Sequence, residues 1–483
     1  MERMKDSRRT NLLIVISLLM IAVAFAAYST IVMSWFKPPP RPGSVLGSTA
    51  ASRAEDEERL SSARKNFRAH LLDTSSHLRL SDALWRAGRP VDAFYVMYAA
   101  RQLFSEDSFR RAHTEVVLGA GGPADSMRRR LEGLRDASLT IPVHAEIARE
   151  YPDTPEGRES LDALSRLAAG DENAQGGESV RLARTALEEL HHDDPKHPGK
   201  LAALGMAFFA RGDFALAHAV AAEALAKNPN QAGAAQIMGA LALQQKDVDG
   251  AMSWLAASWN RNPDDLYSAS KLAQIYDKRR ADAESALPFY LALYRQNPDF
   301  SDGSEPVERR IRETLDARRE SLLQHAPVEG LGARFALDDA SLRAEACLRA
   351  ASFKDPRWID RLGELLDDDA EIVRRNADFA LFEIGKKEPD AVRSHREAWL
   401  GSDKPLVRIR ALNLFADLDG KNTLPLLSTA LRNPNPAIRA FAKVMVLDHY
   451  FAKLPEAAKL RALYLAEERD PGALSLLARF PAR

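Results

Sequence analysis

Three Asn-Pro pairs, Asn228-Pro229, Asn262-Pro263 and Asn297-Pro298, stand 34 and then 35 residues apart, and Asp194-Pro195 stands another 34 upstream. A fixed period in this range marks stacked supersecondary units, each too small to bury its apolar face alone and dependent on its neighbours for a core. Between the marks the apolar spacing is helical: Leu201, Leu204, Met206 and Phe208 on one stretch, Ala217, Val220, Ala221 and Leu225 on the next. Each unit reads as two helices closed by a proline, which cannot continue a helix and biases the residue before it toward extended backbone. The fold class that follows is all-α.

In their register these units resemble the tetratricopeptide repeat family. With the family's terminal proline placed at Pro229, its glycine falls at Gly205 and its small residues at Ala217 and Ala224; with Pro263, the matches are Gly239 and Ala251. In the third unit Tyr276 takes the aromatic position and Ala286 the small one, with one inserted residue near Arg280. The family's first-helix tryptophan is replaced by Leu201 and Ala235, so the copies are divergent. Leu80, Leu84, Gly88, Asp92-Ala93-Phe94 and Ala100 fit a more distant unit, and 140–169 another, so a TPR-like solenoid is expected over 59–300, clearest over 198–299. The resemblance implies a peptide-binding groove lined by first helices, at Met206, Phe209, Gln236, Leu243, Gln244, Tyr267, Ser270 and Gln274. These are apolar or neutral, which suits an amphipathic helix or extended segment of a partner protein. They lack the Lys, Arg and Asn with which some members of the family clamp chaperone carboxylates. Another part of the same chain is the alternative occupant.

A second signature begins near Leu337. Leu342-Arg343 with Ala346, Val373-Arg374 with Ala377, Val407-Arg408 with Ala411, and Ile438-Arg439 with Ala442 recur 31, 34 and 31 residues apart. Each follows a turn rich in Asp, Asn, Ser or Pro, the residues that cap helix N-termini. The pattern resembles short HEAT repeats, expected over 337–450, with a bridging helix over 301–336 and capping helices over 451–483. The recurring arginine reads as a structural ladder to acidic turns. The alternative is a basic concave face of Arg374, Arg375, Arg408, Arg410 and Arg439 that binds acidic peptides.

Ahead of both arrays, no charged residue occurs between Leu12 and Phe36, a run long enough to cross a bilayer. Arg3, Lys5, Arg8 and Arg9 precede it, and Trp35, Lys37 and Arg41 lie at its far end. Charge asymmetry then predicts a single-pass inner-membrane protein with residues 1–36 as cytoplasmic N-terminus and transmembrane helix, and the bulk of the chain periplasmic. A cleaved signal peptide is the rival, since Ala22-Val23-Ala24 offers a small-x-small site. A Pro-rich stalk, 37–58, follows.

Composition narrows the function classes. With 67 Lys plus Arg against 68 Asp plus Glu there is no global field for nucleic acid, and Arg128-Arg129-Arg130 has no interleaved aromatics, so no nucleic-acid partner is expected. The glycine loop at 119–123 lacks the strand context of a phosphate cradle. His191-His192-Asp193-Asp194 with His197 lacks the spacing that puts two metal ligands on one helix face, and the lone Cys347 has no triad partner. No cofactor, metal or catalytic residue is therefore assigned. The expected function is a membrane-anchored protein-protein interaction scaffold in an envelope complex, with other proteins, the membrane and a homo-oligomeric copy as partners. The alternative class is an enzyme or chromophore-handling protein akin to HEAT-like lyases.

Overall fold

A computed structural model describes residues 50–117, 137–152, 154–168, 177–194, 197–263, 265–279, 281–301, 305–325 and 330–480. Regular structure among them is helical, apart from a lone antiparallel bridge between Ser301 and Pro306. The N-terminal helices are α1 (Ala50–Ala69), α2 (Thr74–Arg86), α3 (Pro90–Leu103) and α4 (Glu106–Val116). The repeat region comprises α5 (Ala137–Glu150), α6 (Pro155–Ala168), α7 (Gly177–Asp193), α8 (Pro198–Arg211), α9 (Phe214–Lys227), α10 (Ala232–Gln244), α11 (Val248–Arg261), α12 (Leu266–Gln274) and α13 (Ala283–Gln296). A long helix, α14 (Val307–His325), leads to the short α15 (Leu331–Arg334) and then to the C-terminal array. That array holds α16 (Ala340–Phe353), α17 (Ile359–Leu365), α18 (Glu371–Lys387), α19 (Pro389–Arg393), α20 (Arg396–Leu400), α21 (Pro405–Asp419), α22 (Leu424–Ala430), α23 (Pro436–Phe441), α24 (Asp448–Tyr450), α25 (Pro455–Glu467) and α26 (Pro471–Arg479).

The expected transmembrane helix and the inner-membrane location built on it are corrected. No helix among the described residues is long and apolar enough to cross a membrane, and 12–36 lies outside the described residues. Among the described residues the fold is all-α with no membrane-spanning helix. The glycine loop at 119–123, the basic run at 128–130 and most of the stalk also lie outside the described residues, while α1 begins at Ala50, within the stretch read as stalk.

The 34-residue period appears in the turns as well as in the prolines. Gly212, Lys246 and Ala281 all have left-handed backbone, with φ of 89°, 62° and 52°. Each joins the first helix of a unit to the second. The next amide closes the turn: Asp213 N donates to Phe208 O at 2.9 Å and Asp247 N to Ala242 O at 3.0 Å, five residues back. In the third unit Asp282 N reaches six residues back, to Tyr276 O at 3.0 Å. The inserted residue expected near Arg280 is absorbed there, in a π-helical turn over Ile275–Arg279. Gly88 repeats the five-residue turn in the N-terminal hairpin, where Arg89 N donates to Leu84 O at 2.9 Å. Left-handed backbone costs a side chain of Lys or Ala roughly 1 kcal/mol that glycine avoids. Lys246→Gly is therefore expected to raise unfolding free energy by about 0.5–1 kcal/mol and Gly212→Ala to lower it by about as much. Urea titration of both variants checks this; a loss on Lys246→Gly would refute it.

Small residues do what the repeat register requires. A Cβ on Gly239 would lie 2.7 Å from Leu255 Cγ and 3.2 Å from Leu255 N, so α10 and α11 touch at a distance only glycine permits. Asp247, Asp265 and Asp282 cap α11, α12 and α13 by accepting from Gly250 N, Ser268 N and Ser285 N at 2.9, 3.0 and 3.0 Å.

The N-terminal helices pack onto the later parts of the chain. Leu78, Phe94 and Tyr95 share a core with Phe289 and Tyr294 of α13 and with residues of α16 and α18. Leu60, Phe67, Leu80 and Leu84 share a second core with α21 to α25. Ion pairs rim these contacts: Arg64 to Asp369 at 2.6 Å, Arg68 to Asp367 at 3.0 Å, and Arg295 to Asp82 at 2.9 Å. Residues 50–117 thus bind the last repeat helix to the C-terminal array.

Candidate functional site

Two surfaces merit description. The first is on α8, α10 and α12, the helices that carry the eight residues expected from sequence to line a groove. Met206, Phe209, Gln236, Leu243, Tyr267, Ser270 and Gln274 are half-buried and Gln244 is exposed. Met206 and Phe209 flank the small core shared by α8, α9 and α10, whereas Leu243 and Tyr267 flank the larger core. Lys271 lies 5.7 Å over the Tyr267 ring, one helical turn away. The eight side chains are all neutral, with Lys271 beside one of them.

The second is a cavity of about 840 Å³ between the N-terminal helices and the C-terminal array. Phe67, His77, Tyr95 and Tyr98 border it on one side, and side chains of α18, α21 and the turn after α23 on the other. Its polar wall is a chain of paired groups. Glu371 accepts from Arg374 at 2.8 Å and from Arg410. Asp378 accepts from Asn413 Nδ2 at 2.7 Å and lies 3.6 Å from Arg410. The Tyr450 hydroxyl donates to Asp417 at 2.8 Å. Burial alone would raise the Glu371 carboxyl, but Arg410 and Arg374 outweigh it and hold it at about 2. For Asp378 burial prevails over Arg410 and Asn413, and its carboxyl is pushed up to about 6. On the facing side burial lowers His77 to about 4, against the opposing hydrogen bond to Asp73 O.

The arginines read from sequence as either ladder or basic face have a common local partner. Each donates to a carbonyl of the turn leading into its own helix, six residues back: Arg343 to Leu337 O at 2.7 Å, Arg374 to Asp368 O, Arg408 to Ser402 O, and Arg439 to Asn433 O at 2.8 Å. These bonds satisfy acceptors that a tight turn would otherwise leave open. Carboxylates complete the set, with Arg343 on Asp368 at 2.8 Å, Arg439 on Glu468 at 2.7 Å, and Arg410 on Glu371 and Asp378. Arg375 differs: it is exposed and borders the cavity.

The remaining candidates are placed as follows. His197 Nδ1 accepts from Gly199 N at 3.1 Å and Lys200 N at 3.3 Å, so this ring is the N-cap of α8, and Asp193 pairs with Arg149 at 3.1 Å. Among the described residues no group of three or more His, Cys, Asp or Glu is arranged to hold a metal ion. Cys347 is buried in α16, and burial pushes its thiol up, which keeps it protonated and unreactive.

Sequence reasoning did not assemble the cavity, because one side of its wall lies between Phe67 and Leu103 and the rest follows Glu371. One signal was present. On α18 Val373, Ala377, Leu381 and Ile384 make the buried stripe, while Phe379 and Phe382 fall outside it, on a second apolar face.

A sequence model of the tetratricopeptide repeat family matches residues 208–275, from the end of α8 through α12. No curated protein matches the chain. The match falls on the stretch that carries most of the groove residues, and repeats of this family are protein-protein interaction modules.

Proposed function

We propose that this chain is an interaction scaffold whose α8–α12 face captures a helical or extended segment of another protein. The observation that carries the reading is the tetratricopeptide repeat match at 208–275, on first helices whose inner side chains are neutral and partly accessible. Leu243 and Tyr267 would seat apolar side chains of the bound segment, while Gln236, Ser270 and Gln274 would supply hydrogen bonds to its backbone. The C-terminal helices, proposed here as HEAT-like, and the N-terminal helices that brace them hold this face in a fixed orientation.

Site-specific photo-crosslinking checks the reading. Benzoylphenylalanine at Leu243 or Gln274 is expected to give discrete adducts with a co-expressed partner pool, and the same residue at exposed Ala222 on α9 none. Tyr267→Ala should cut the Leu243 adducts severalfold, as loss of an aromatic anchor does. Equal adducts at Ala222, or adducts indifferent to Tyr267→Ala, would refute the groove assignment.

A further inference from the structure

Among the α18 residues that line the cavity, Arg375, Phe379 and Phe382 are spaced i, i+4 and i+7 and so lie on one side of the helix. Phe379 leaves 48% of its surface accessible, although Val373, Ala377 and Leu381 on the other side are fully buried. Met445 and Phe441, from the unit after α21, continue the apolar wall. A large aromatic left half in water on a concave wall is the kind of surface that partners cover.

Charge defines what would cover it. The three carboxylates on the cavity are each engaged: Glu371 by Arg374 and Arg410, Asp378 by Asn413 and Arg410, Asp417 by the Tyr450 hydroxyl. Arg374 and Arg410 are occupied by the same pairs. Arg375 has no ion pair or hydrogen bond among the described residues. The wall therefore presents aromatic surface beside Arg375, a cation with no partner among the described residues, while Asp417 further along it meets only a hydroxyl. Its volume, about 840 Å³, is close to that of two α-helical turns, a cylinder about 10 Å across and about 11 Å long.

We propose that this cavity is a second docking site, and that its occupant is a short acidic amphipathic helix of a partner protein. Apolar side chains one and two turns apart rest on Phe379, Phe382 and Met445, and an Asp or Glu beside that stripe pairs with Arg375. The site shares no residue with the α8–α12 groove, so either assignment can fail alone.

Fluorescence polarisation with the full chain and two helix-stabilised, fluorescein-labelled peptides tests this. Both carry leucine at i, i+4 and i+7; one has glutamate beside that stripe and the other lysine. The glutamate peptide is expected to bind, with the lysine peptide about tenfold weaker. Arg375→Glu reverses that order and Phe379→Ala weakens both peptides, whereas Leu243→Arg in the other groove changes neither. Both cavity variants alter exposed side chains, so their circular dichroism and melting should match the parent chain. The proposal is overturned by no saturable binding, by equal binding of the two peptides, or by a loss caused by Leu243→Arg and not by Arg375→Glu. It is also overturned if the chain self-associates through this face in a way Arg375→Glu abolishes, since the occupant would then be a second copy.

Discussion

Arg343→Met is expected to cost about 3–5 kcal/mol of folding stability, the largest single-residue loss we assign, because it strands two carboxylates inside the protein. Arg343 donates through Nε and Nη2 to Asp368 at 2.8 Å each, and Nη2 also reaches Asp92 at 3.1 Å. The arginine and aspartate side chains are 4% and 0% exposed. Asp92 keeps one further partner, Arg89 at 2.7 Å, but Arg89 cannot replace a guanidinium that serves two acids and a carbonyl at once. Arg343→Lys should recover part of the loss, since a single ammonium lacks the planar fork. Exposed pairs such as Arg59 with Glu55 should contribute below about 1 kcal/mol when broken. Urea unfolding of Arg343→Met, Asp92→Asn and the double variant would measure the coupling. A cost below about 1 kcal/mol for Arg343→Met would mean that this buried pair does not help to hold the N-terminal helices in place. A buried arginine joining α3 to α16 across 251 residues also specifies how the hairpin sits, since a shifted docking would take the buried Asp92 away from Arg343.

Acid should loosen the same junction through His77. This ring is 4% exposed and sits edge-on between Phe67 and Phe104, at 4.8 and 5.0 Å. Burial holds it at about 4, with Arg374 lowering it further, against 6.5 for the free side chain. The unfolded chain therefore takes up a proton that the folded chain refuses. The stabilisation is complete above pH 6.5 and is lost as pH falls toward 4. The full window corresponds to about 3 kcal/mol. Asp378 works against it: its carboxyl, raised to about 6, favours folding at low pH and loses that advantage as pH rises from 3.8. The two slopes overlap, so the informative quantity is a difference between variants. His77→Gln keeps a donor for Asp73 O and cannot titrate. Between pH 4 and 6.5 the rise of its unfolding free energy with pH should be smaller than that of the parent chain by about 3 kcal/mol. Parallel curves for the two proteins would exclude His77 as the group responsible.

Much of the repeat region was legible because its rules are local. A helix shows itself in contacts three and four residues apart, and a two-helix unit in the distance between one terminating proline and the next. The period at Pro229, Pro263 and Pro298 therefore appears again in the turns at Gly212, Lys246 and Ala281, and the extra residue of the third unit became the π-turn at Ile275–Arg279. The groove residues could be placed on first helices for the same reason. What fills that groove was not legible, since a neutral stripe admits many partners.

The membrane reading shows the opposite limit. Composition and length make the apolar run at 12–36 read as a spanning helix, but that run lies outside the described residues, and no helix among them is long and apolar enough to cross a membrane. The arginines of the C-terminal array show why side-chain roles were ambiguous. Spacing identified Arg374, Arg408 and Arg439 as equivalent, yet their partners are carbonyls six residues back, which depend on turn geometry and not on residue type.

Periodicity was sufficient for the two-helix units matched over 208–275, because each is decided by neighbours within about one repeat length. The docking of residues 50–117 against α13, α16 and α18, and with it the cavity, was decided by tertiary structure. Arg64 meets Asp369 and Arg343 meets Asp92 at separations of 305 and 251 residues. In a chain with 67 basic and 68 acidic side chains, nothing local distinguishes those pairs from the many that never meet.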